Sequence, residues 1–319
     1  MSDFNDLIIF IQKEINKSLK RLPIPDKPSY LYDPIRYSLK GGGKRLRPIL
    51  VHLMGRAFNI DPDELMKIAL SIELLHNFTL VHDDIMDKDT MRHGQKTIHT
   101  KWDTSSAILA GDGIYTIAQI ILNTLSGIDN AVSSYFNKTT LEICEGQALD
   151  KKFENEPIIT EKAYLNMIEK KTGALLSAAA ALPVIYNGES QSFINYCDSF
   201  GRYLGNGFQI QDDLLEITSD EKTMGKSLES DIYKCKKTIM VIKAHNRYPQ
   251  KWDKLISNSS KNNIKNNIHS FFDETGIIKE TKFSAEFYFN SSREAIKKLK
   301  IHNKNELLQF VDLIEKRTY

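Results

Sequence analysis

The sequence predicts an all-α protein, built as a single large helical bundle that spans residues 1–319. Long segments carry apolar residues at the i, i+3, i+4 and i+7 spacing of amphipathic helices. The apolar–polar alternation and the Asn-Gly turns of β-hairpins are scarce. No linker of distinct composition divides the chain, so we expect one domain.

The individual helices follow from this spacing and from the positions of the prolines. The N-terminal segment has early acidic residues and resembles an amphipathic helix more than a signal peptide. After the prolines of residues 23–34, helical spacing predicts six segments: 48–58, 65–86, 105–125, 135–150, 161–182 and 193–215. The run 175–186 is apolar on nearly every side, as expected inside a bundle, and is too short to span a bilayer. The polar stretch 257–270 predicts a surface loop and the start of a polar helix.

Composition limits the classes of function. The chain is 41% hydrophobic and 26% charged, which suits a globular protein with a real core. A net charge of +2 gives no reason to expect nucleic acid or an acidic membrane as a partner. The three scattered cysteines indicate reduced thiols rather than disulfides or zinc. We therefore expect a cytoplasmic protein without a stable membrane anchor.

Two acid-rich motifs follow apolar helical segments. They contribute six carboxylates: Asp83, Asp84 and Asp87 in the first motif, and Asp212, Asp213 and Glu216 in the second. At about 100° per residue, residues four apart lie about 40° apart on one helix face. Like charges at this spacing destabilise a helix, and buried charges need partners. A divalent cation removes the conflict, and an oxygen-only ligand set favours Mg²⁺ over zinc.

Cationic residues accompany both acidic motifs. The stretch GGGKRLRP places Lys44 and Arg47 at a helix start after a glycine turn, a setting that favours an anion. It lacks the spacing of a Walker A loop. Further cations lie in the segments that hold Arg92, Lys171 and Lys226. Two acidic helices facing across an apolar bundle, with cations at the rim, suit a diphosphate carried on a hydrophobic tail.

The chain resembles the trans-isoprenyl diphosphate synthases, the polyprenyl synthetase family, along almost its whole length. The resemblance lies in the order of GGGKRLRP, ELLHNFTLVHDDIMDKDTMRHG, EGQALD, EKKTGALL, FQIQDDLLE and SDIYKCKKT. It implies an all-α bundle around a deep central cavity, usually homodimeric, with isopentenyl and allylic diphosphates as substrates. The implied reaction is ionisation of the allylic diphosphate, condensation and proton loss, in a pocket that excludes water.

The resemblance also assigns roles to residues. It implies three Mg²⁺ ions, with Asp83 and Asp87 on one side supported by Asp84, and Asp212 on the other with Asp213 and Glu216 nearby. Cations implied for the allylic diphosphate are Arg92, Lys171, Lys226 and Lys236. Groups implied for isopentenyl diphosphate are Lys44, Arg47 and His76. Thr172 and Gln209 are expected to stabilise the allylic cation.

The chain departs from the family pattern at two positions. His93 replaces the second of two arginines, which usually helps to bind isopentenyl diphosphate, so we expect weaker binding that His93→Arg improves. A histidine still donates a hydrogen bond, most strongly when protonated. Glu216 replaces an aspartate, which keeps the carboxylate and lengthens its reach, so we expect a mild effect.

Product length is implied by the residues just before the first acidic motif. Phe78 and Thr79 lie five and four residues before Asp83. An aromatic residue at the fifth position with a small one at the fourth resembles synthases of geranylgeranyl (C20) diphosphate. Leu75, one helical turn deeper, would be the next obstacle. We therefore expect a C20 product, with farnesyl (C15) and C25 or longer products as alternatives.

Two other functions compete with this one. A terpene cyclase would share Mg²⁺-assisted ionisation, but its usual second metal motif mixes Asn, Ser and Glu, unlike DDLLE. A non-catalytic subunit of a heteromeric synthase would tend to lose its acidic residues, whereas both sets remain here.

Overall fold

The computed structural model describes residues 2–127, 130–218, 237–258 and 264–317. These residues form fifteen α-helices, one π-helical segment and one short β-hairpin. The prediction of an all-α chain is confirmed. The expectation of a single domain stays a prediction.

The helices follow the predicted order. The first part of the chain contains α1 (Ser2–Lys20), α2 (Ser29–Leu39), α3 (Leu46–Arg56), α4 (Pro62–Asp87), β1 (Met91–Arg92), β2 (Gln95–Lys96), α5 (Ile98–Lys101) and α6 (Thr104–Leu122). Next come α7 (Asn130–Glu154), α8 (Glu161–Ile168), the π-helical segment Glu169–Gly173, α9 (Ala174–Tyr186) and α10 (Gln191–Thr218). The last helices are α11 (Ile239–Arg247), α12 (Pro249–Asn258), α13 (Ile264–Glu274), α14 (Ile277–Lys298) and α15 (Lys304–Glu315). The helix predicted over 161–182 is interrupted by the π-helical segment, which simple apolar spacing does not reveal.

Side-chain caps determine where several helices begin. The carboxylate of Asp61 accepts from the backbone N–H of Asp63 at 2.8 Å, and Pro62 occupies the first helical position of α4. Asp103 caps α6 in the same way, accepting from the N–H of Ser106 at 2.8 Å. Such caps satisfy N–H groups that have no partner inside the helix. α4 therefore begins three residues before the predicted start.

The chain packs as two compact units. The first consists of Met1–Thr140, Ala178–Asp198 and Leu299–Gln309. In it, α4 packs against α3 and α6, and α2 packs against α6. Its core includes Leu53 of α3, Leu74 and Leu75 of α4, and Ile114 of α6, all with no exposed surface. This burial explains why α4 is apolar on several faces.

The second unit consists of Leu141–Ser177, Ser199–Lys298 and Phe310–Tyr319. Its core includes Phe200, Leu204 and Ile210 of α10. A Cβ atom on Gly205 of α10 would lie 2.5 Å from the Cα of Gly173, so only glycine lets α10 approach the π-helical segment this closely.

One described helix, α6, is long and apolar enough to cross a membrane by length and composition alone. Of its most apolar window, 39% is buried within the protein. Core helices of proteins that never enter a membrane are often as long and as apolar, so these properties of α6 are weak evidence for a membrane span.

Candidate active site

The first acidic motif occupies the last turns of α4. Asp83 and Asp87 lie one turn apart and are partly exposed, whereas Asp84 is buried. The carboxylate of Asp84 accepts from Nε of Arg92 at 2.6 Å. Asp84 therefore holds Arg92, and the flanking Asp83 and Asp87 lie one turn apart on α4, where their carboxylates suit a divalent cation.

A tight hairpin places Arg92 and His93. β1 and β2 pair antiparallel across a two-residue turn of His93 and Gly94, with φ angles of 48° and 75°. Positive φ at both positions is the geometry of a type I′ turn, which matches the twist of the flanking strands. His93 is thus a turn residue as well as a departure from the family pattern, and its effect on substrate binding stays a prediction.

The glycine turn before α3 carries Lys44 and leads into Arg47, and Arg47 contacts His76, the third residue predicted to bind isopentenyl diphosphate. Lys44 is exposed, and Arg47 lies in the first turn of the helix. Nη1 of Arg47 lies 3.2 Å from Nε2 of His76. Desolvation by the surrounding protein, followed by the charge of Arg47, lowers the pKa of His76 well below its usual value, although the ring keeps some solvent access. A neutral His76 accepts from Arg47 at Nε2 and carries its proton on Nδ1.

A buried ion pair supports the same turn. Arg45, the residue before α3, has a left-handed backbone (φ 52°) and is 8% exposed. Its Nη1 donates to the carboxylate of Glu73, its Nε to Asn16 Oδ1 at 3.0 Å, and its Nη2 to the carbonyl of Gly41 at 2.8 Å. Arg45 thereby fixes the turn that carries Lys44 and Arg47. Nothing in the sequence pairs Arg45 with Glu73, and the one sign of this ion pair is a glutamate on an apolar helix.

The predicted chain-length residues lie along α4. Phe78 is partly exposed and Leu75 is fully buried. The Phe78 ring packs against Tyr115 of α6, with ring centroids 5.4 Å apart, and Tyr115 stacks on Phe136 at 6.4 Å. The hydroxyl of Thr79 donates to the carbonyl of His76 at 2.8 Å. The aromatic column behind Phe78 was not foreseen, since its members come from three helices.

In the second unit, the π-helical segment carries Lys171 and Thr172. Nζ of Lys171 lies 2.5 Å from the carboxylate of Asp150 on α7. A Cβ atom on Gly146 would lie 2.4 Å from the backbone nitrogen of Lys171, so α7 contacts this backbone directly. Thr172 Oγ1 donates to Oε1 of Gln209 on α10 at 3.0 Å. π-helical turns often occur at functional sites, and this one joins both predicted residues.

The carboxylates of the second acidic motif have different surroundings. Asp212 is 39% exposed and pairs with Arg317, whose guanidinium also lies over the Phe208 ring. Asp213 is buried and accepts from several donors within the protein. Glu216 lines a largely apolar cavity of about 340 Å³ that also contacts Lys237. The arrangement favours Asp212 over Asp213 as a metal ligand.

Not every predicted residue can be compared with the structure. Lys226 and Lys236 lie outside the described residues. Within the described part of the chain, no three His, Cys, Asp or Glu side chains form a ready-made metal cluster. Mg²⁺ commonly uses only one or two carboxylates together with water and substrate phosphates, so Asp83, Asp87 and Asp212 remain suitable donors.

The chain is similar to several known proteins. Residues 28–273 match the polyprenyl synthetase family. The geranylgeranyl pyrophosphate synthase of Geoglobus acetivorans is 36% identical over 312 residues, covering 96% of this chain and 97% of that protein. The geranylgeranyl diphosphate synthase of Methanosarcina mazei is 42% identical over 226 residues, covering 70% and 69%.

A solved structure shows the same fold. The geranylgeranyl pyrophosphate synthetase of Pyrococcus horikoshii has a TM-score of 0.89 at 33% identity, covering 99% of both chains. The family match spans well over half of the chain. The chain therefore belongs to the polyprenyl synthetase family and is a prenyl diphosphate synthase that uses prenyl diphosphate substrates.

Proposed function

We propose that this enzyme is a Mg²⁺-dependent geranylgeranyl diphosphate synthase that extends allylic diphosphates with isopentenyl diphosphate to C20. The observation that supports a C20 product is the row of packed aromatic rings formed by Phe78, Tyr115 and Phe136. The Phe78 ring, five residues before Asp83, is backed by Tyr115 and Phe136. The relatives from Geoglobus and Methanosarcina carry the name of the same product.

In the proposed reaction, the allylic C–O bond breaks and its electron pair leaves with diphosphate. The double bond of isopentenyl diphosphate then attacks the allylic carbon, and transfer of a proton to the released diphosphate forms the new double bond. When bound by Asp83, Asp87 and Asp212, Mg²⁺ would neutralise charge on the departing diphosphate. Three ions per site remain our proposal.

The protein's own cations hold the two diphosphates. Arg92 and Lys171 are held by ion pairs with Asp84 and Asp150, so phosphate binding has less side-chain freedom to restrict. Lys44 and Arg47, with neutral His76, are proposed to bind isopentenyl diphosphate.

The cation is proposed to be stabilised by oxygen dipoles. The Thr172 hydroxyl and the Gln209 carbonyl oxygen meet at 3.0 Å. Oxygen atoms fixed in place before ionisation stabilise positive charge without having to reorganise during the reaction.

The test offers isopentenyl diphosphate and Mg²⁺ to the purified enzyme with dimethylallyl, geranyl or farnesyl diphosphate. Products are dephosphorylated and sized by mass spectrometry. A C20 final product from all three primers supports the proposal. A C15 final product, or a series of products longer than C20, contradicts the proposed product length. Cyclic hydrocarbon without isopentenyl diphosphate would indicate a cyclase, and absence of turnover would indicate a non-catalytic subunit.

Two variants sharpen the test of product length. Phe78→Ala should lengthen the product by one or more five-carbon units. Because Tyr115 lies directly behind Phe78, Phe78→Ala with Tyr115→Ala should lengthen it further. Phe78→Leu, which keeps a bulky group, is the matched control and should stay close to C20.

We also propose a cytoplasmic homodimer. Cys197 is a buried free thiol, which suits a reducing compartment. On α6, Leu109 is 45% exposed and Ile120 is 60% exposed. Eleven residues apart, they lie within about 20° on one helix face, so a second copy could bury them. Light scattering without detergent should give a dimer, and Leu109→Glu with Ile120→Glu should give a monomer.

A further inference from the structure

A continuous set of hydrogen bonds connects the proposed cation-stabilising pair to a buried tyrosine. Thr172 Oγ1 donates to Gln209 Oε1 at 3.0 Å, and Gln209 Nε2 donates to Asp213 Oδ1 at 3.2 Å. The other oxygen of Asp213 accepts from the Tyr164 hydroxyl at 2.5 Å and from the backbone N–H of Ile239 at 3.1 Å. These residues come from α8, the π-helical segment, α10 and α11, so the set depends on tertiary packing.

The chemistry of these groups fixes the orientation of Gln209. An amide side chain can rotate by half a turn and exchange its oxygen for its nitrogen. An ionised carboxylate only accepts, so Asp213 holds the Nε2 end of Gln209 toward itself. Oε1 is then turned toward Thr172, the orientation that presents oxygen rather than N–H to a developing cation. Reversal of the amide would present positive N–H dipoles instead.

Tyr164 holds the carboxylate that sets this orientation. Its side chain is 2% exposed, and Asp213 is 6% exposed. Burial, and then the charge of Asp213, raises the pKa of Tyr164 well above its usual value, so the hydroxyl remains a donor. Buried hydrogen bonds of this kind limit rotation of both partners. The Ile239 N–H, at the start of α11, approaches the same oxygen from another helix.

We propose that Tyr164 is a positioning residue for prenyl transfer, which acts through Asp213 to hold the Gln209 amide with its oxygen toward Thr172. The inference rests on the proposed function, because Gln209 matters to the reaction only if an allylic cation forms. It assigns Asp213 to orientation of Gln209 rather than to the metal.

A double-mutant cycle separates this role from a merely structural one. Tyr164→Phe removes only the hydroxyl and should lower kcat at least tenfold, with less than a twofold change in KM for isopentenyl diphosphate. In a Gln209→Ala background the same substitution should change kcat less than twofold, because the group it acts through is gone. Equal losses in both backgrounds would overturn the proposal.

A matched control distinguishes loss of this hydroxyl from loss of any buried one. The Tyr135 hydroxyl also donates to an aspartate, Asp198 Oδ1, at 2.7 Å, and it lies in the first unit. Tyr135→Phe should leave kcat within twofold of the unmodified enzyme. If kcat falls tenfold in this variant as well, loss of any buried tyrosine hydroxyl lowers activity. The proposed positioning role of Tyr164 would then be unsupported.

A binding measurement makes the outcome independent of turnover. Two unreactive analogues of the allylic diphosphate are titrated by calorimetry, one with a tertiary ammonium at the cationic carbon and one neutral. Tyr164→Phe should weaken the ammonium analogue at least fivefold and the neutral analogue less than twofold. Equal binding of the ammonium analogue by both proteins refutes the inference, whereas failure of the unmodified protein to bind either analogue refutes the proposed function.

Discussion

Replacing Glu73 by leucine removes one half of the buried Arg45–Glu73 ion pair. The two side chains are only 7% and 4% exposed, so Glu73→Leu leaves the Arg45 guanidinium buried without a countercharge. The other acceptors of the Arg45 guanidinium, Asn16 Oδ1 and the Gly41 carbonyl, are neutral. Removing one partner of a buried pair typically costs about 3–5 kcal/mol of unfolding free energy.

The structure also indicates how much the intact pair contributes. Burial raises the pKa of Glu73, and the opposing effect of Arg45 does not cancel it. The desolvation cost is therefore comparable with the attraction between the two charges. Replacing both residues with apolar ones should leave the free energy of unfolding nearly unchanged. We expect Arg45→Met with Glu73→Leu to recover most of the loss caused by Glu73→Leu alone.

The two tryptophans allow an assay that reports on the correct unit. Trp102 lies in the first unit with the ion pair, and Trp252 lies in the second. In a Trp252→Phe background, urea unfolding followed by tryptophan fluorescence therefore measures the first unit. The control is Glu14→Gln, which breaks an exposed pair with Lys17 in the same unit and should cost less than about 1 kcal/mol. A cost below about 1 kcal/mol for Glu73→Leu, or an additive loss in the double variant, would refute the reasoning.

Three further predictions concern activity and pH. Thr79→Phe should shorten the main product to C15, since a bulky ring would then stand one residue closer to Asp83 than Phe78 does; mass spectrometry of the products checks this, with Thr79→Ser as control. Gly146→Ala should lower kcat more than tenfold, because its Cβ would lie 2.4 Å from the Lys171 backbone nitrogen, and normal activity would contradict that contact. Burial, then Arg56, lowers the pKa of His52 to about 4 from 6.5, so stability should be full above pH 6.5 and fall toward pH 4. At about 1.4 kcal/mol per pH unit, the free energy of unfolding should fall by about 3 kcal/mol. If His52→Met has the same pH profile of unfolding as the unmodified protein, His52 is not the cause.

Much of the site could be predicted from the sequence because its chemistry is local. Asp83 and Asp87 share a face through helical periodicity alone, and the glycine turn before Arg47 predicts the start of α3. Of the three residues predicted to bind isopentenyl diphosphate, Arg47 and His76 lie 3.2 Å apart, and their role in binding stays a prediction. Resemblance to the polyprenyl synthetase family added roles that spacing alone does not assign.

Other features depended on contacts between residues far apart in the chain. Glu73 and Tyr164 gave no signal beyond a polar group on an apolar helix, because their partners Arg45 and Asp213 lie 28 and 49 residues away. Leu75 stays the predicted next obstacle beyond Phe78, and the structure adds Tyr115 of α6, whose ring packs against Phe78. Asp212 and Asp213 are neighbours in sequence with different surroundings, since successive helical residues point about 100° apart.

The sequence by itself determined the helical class, the two carboxylate motifs and the cations that accompany them, because helical periodicity and charge are properties of short segments. Only the tertiary structure decided which carboxylate is exposed and which is enclosed by donors, and which aromatic ring lies behind Phe78. Those outcomes depend on which helices pack together, and packing is a property of the whole chain.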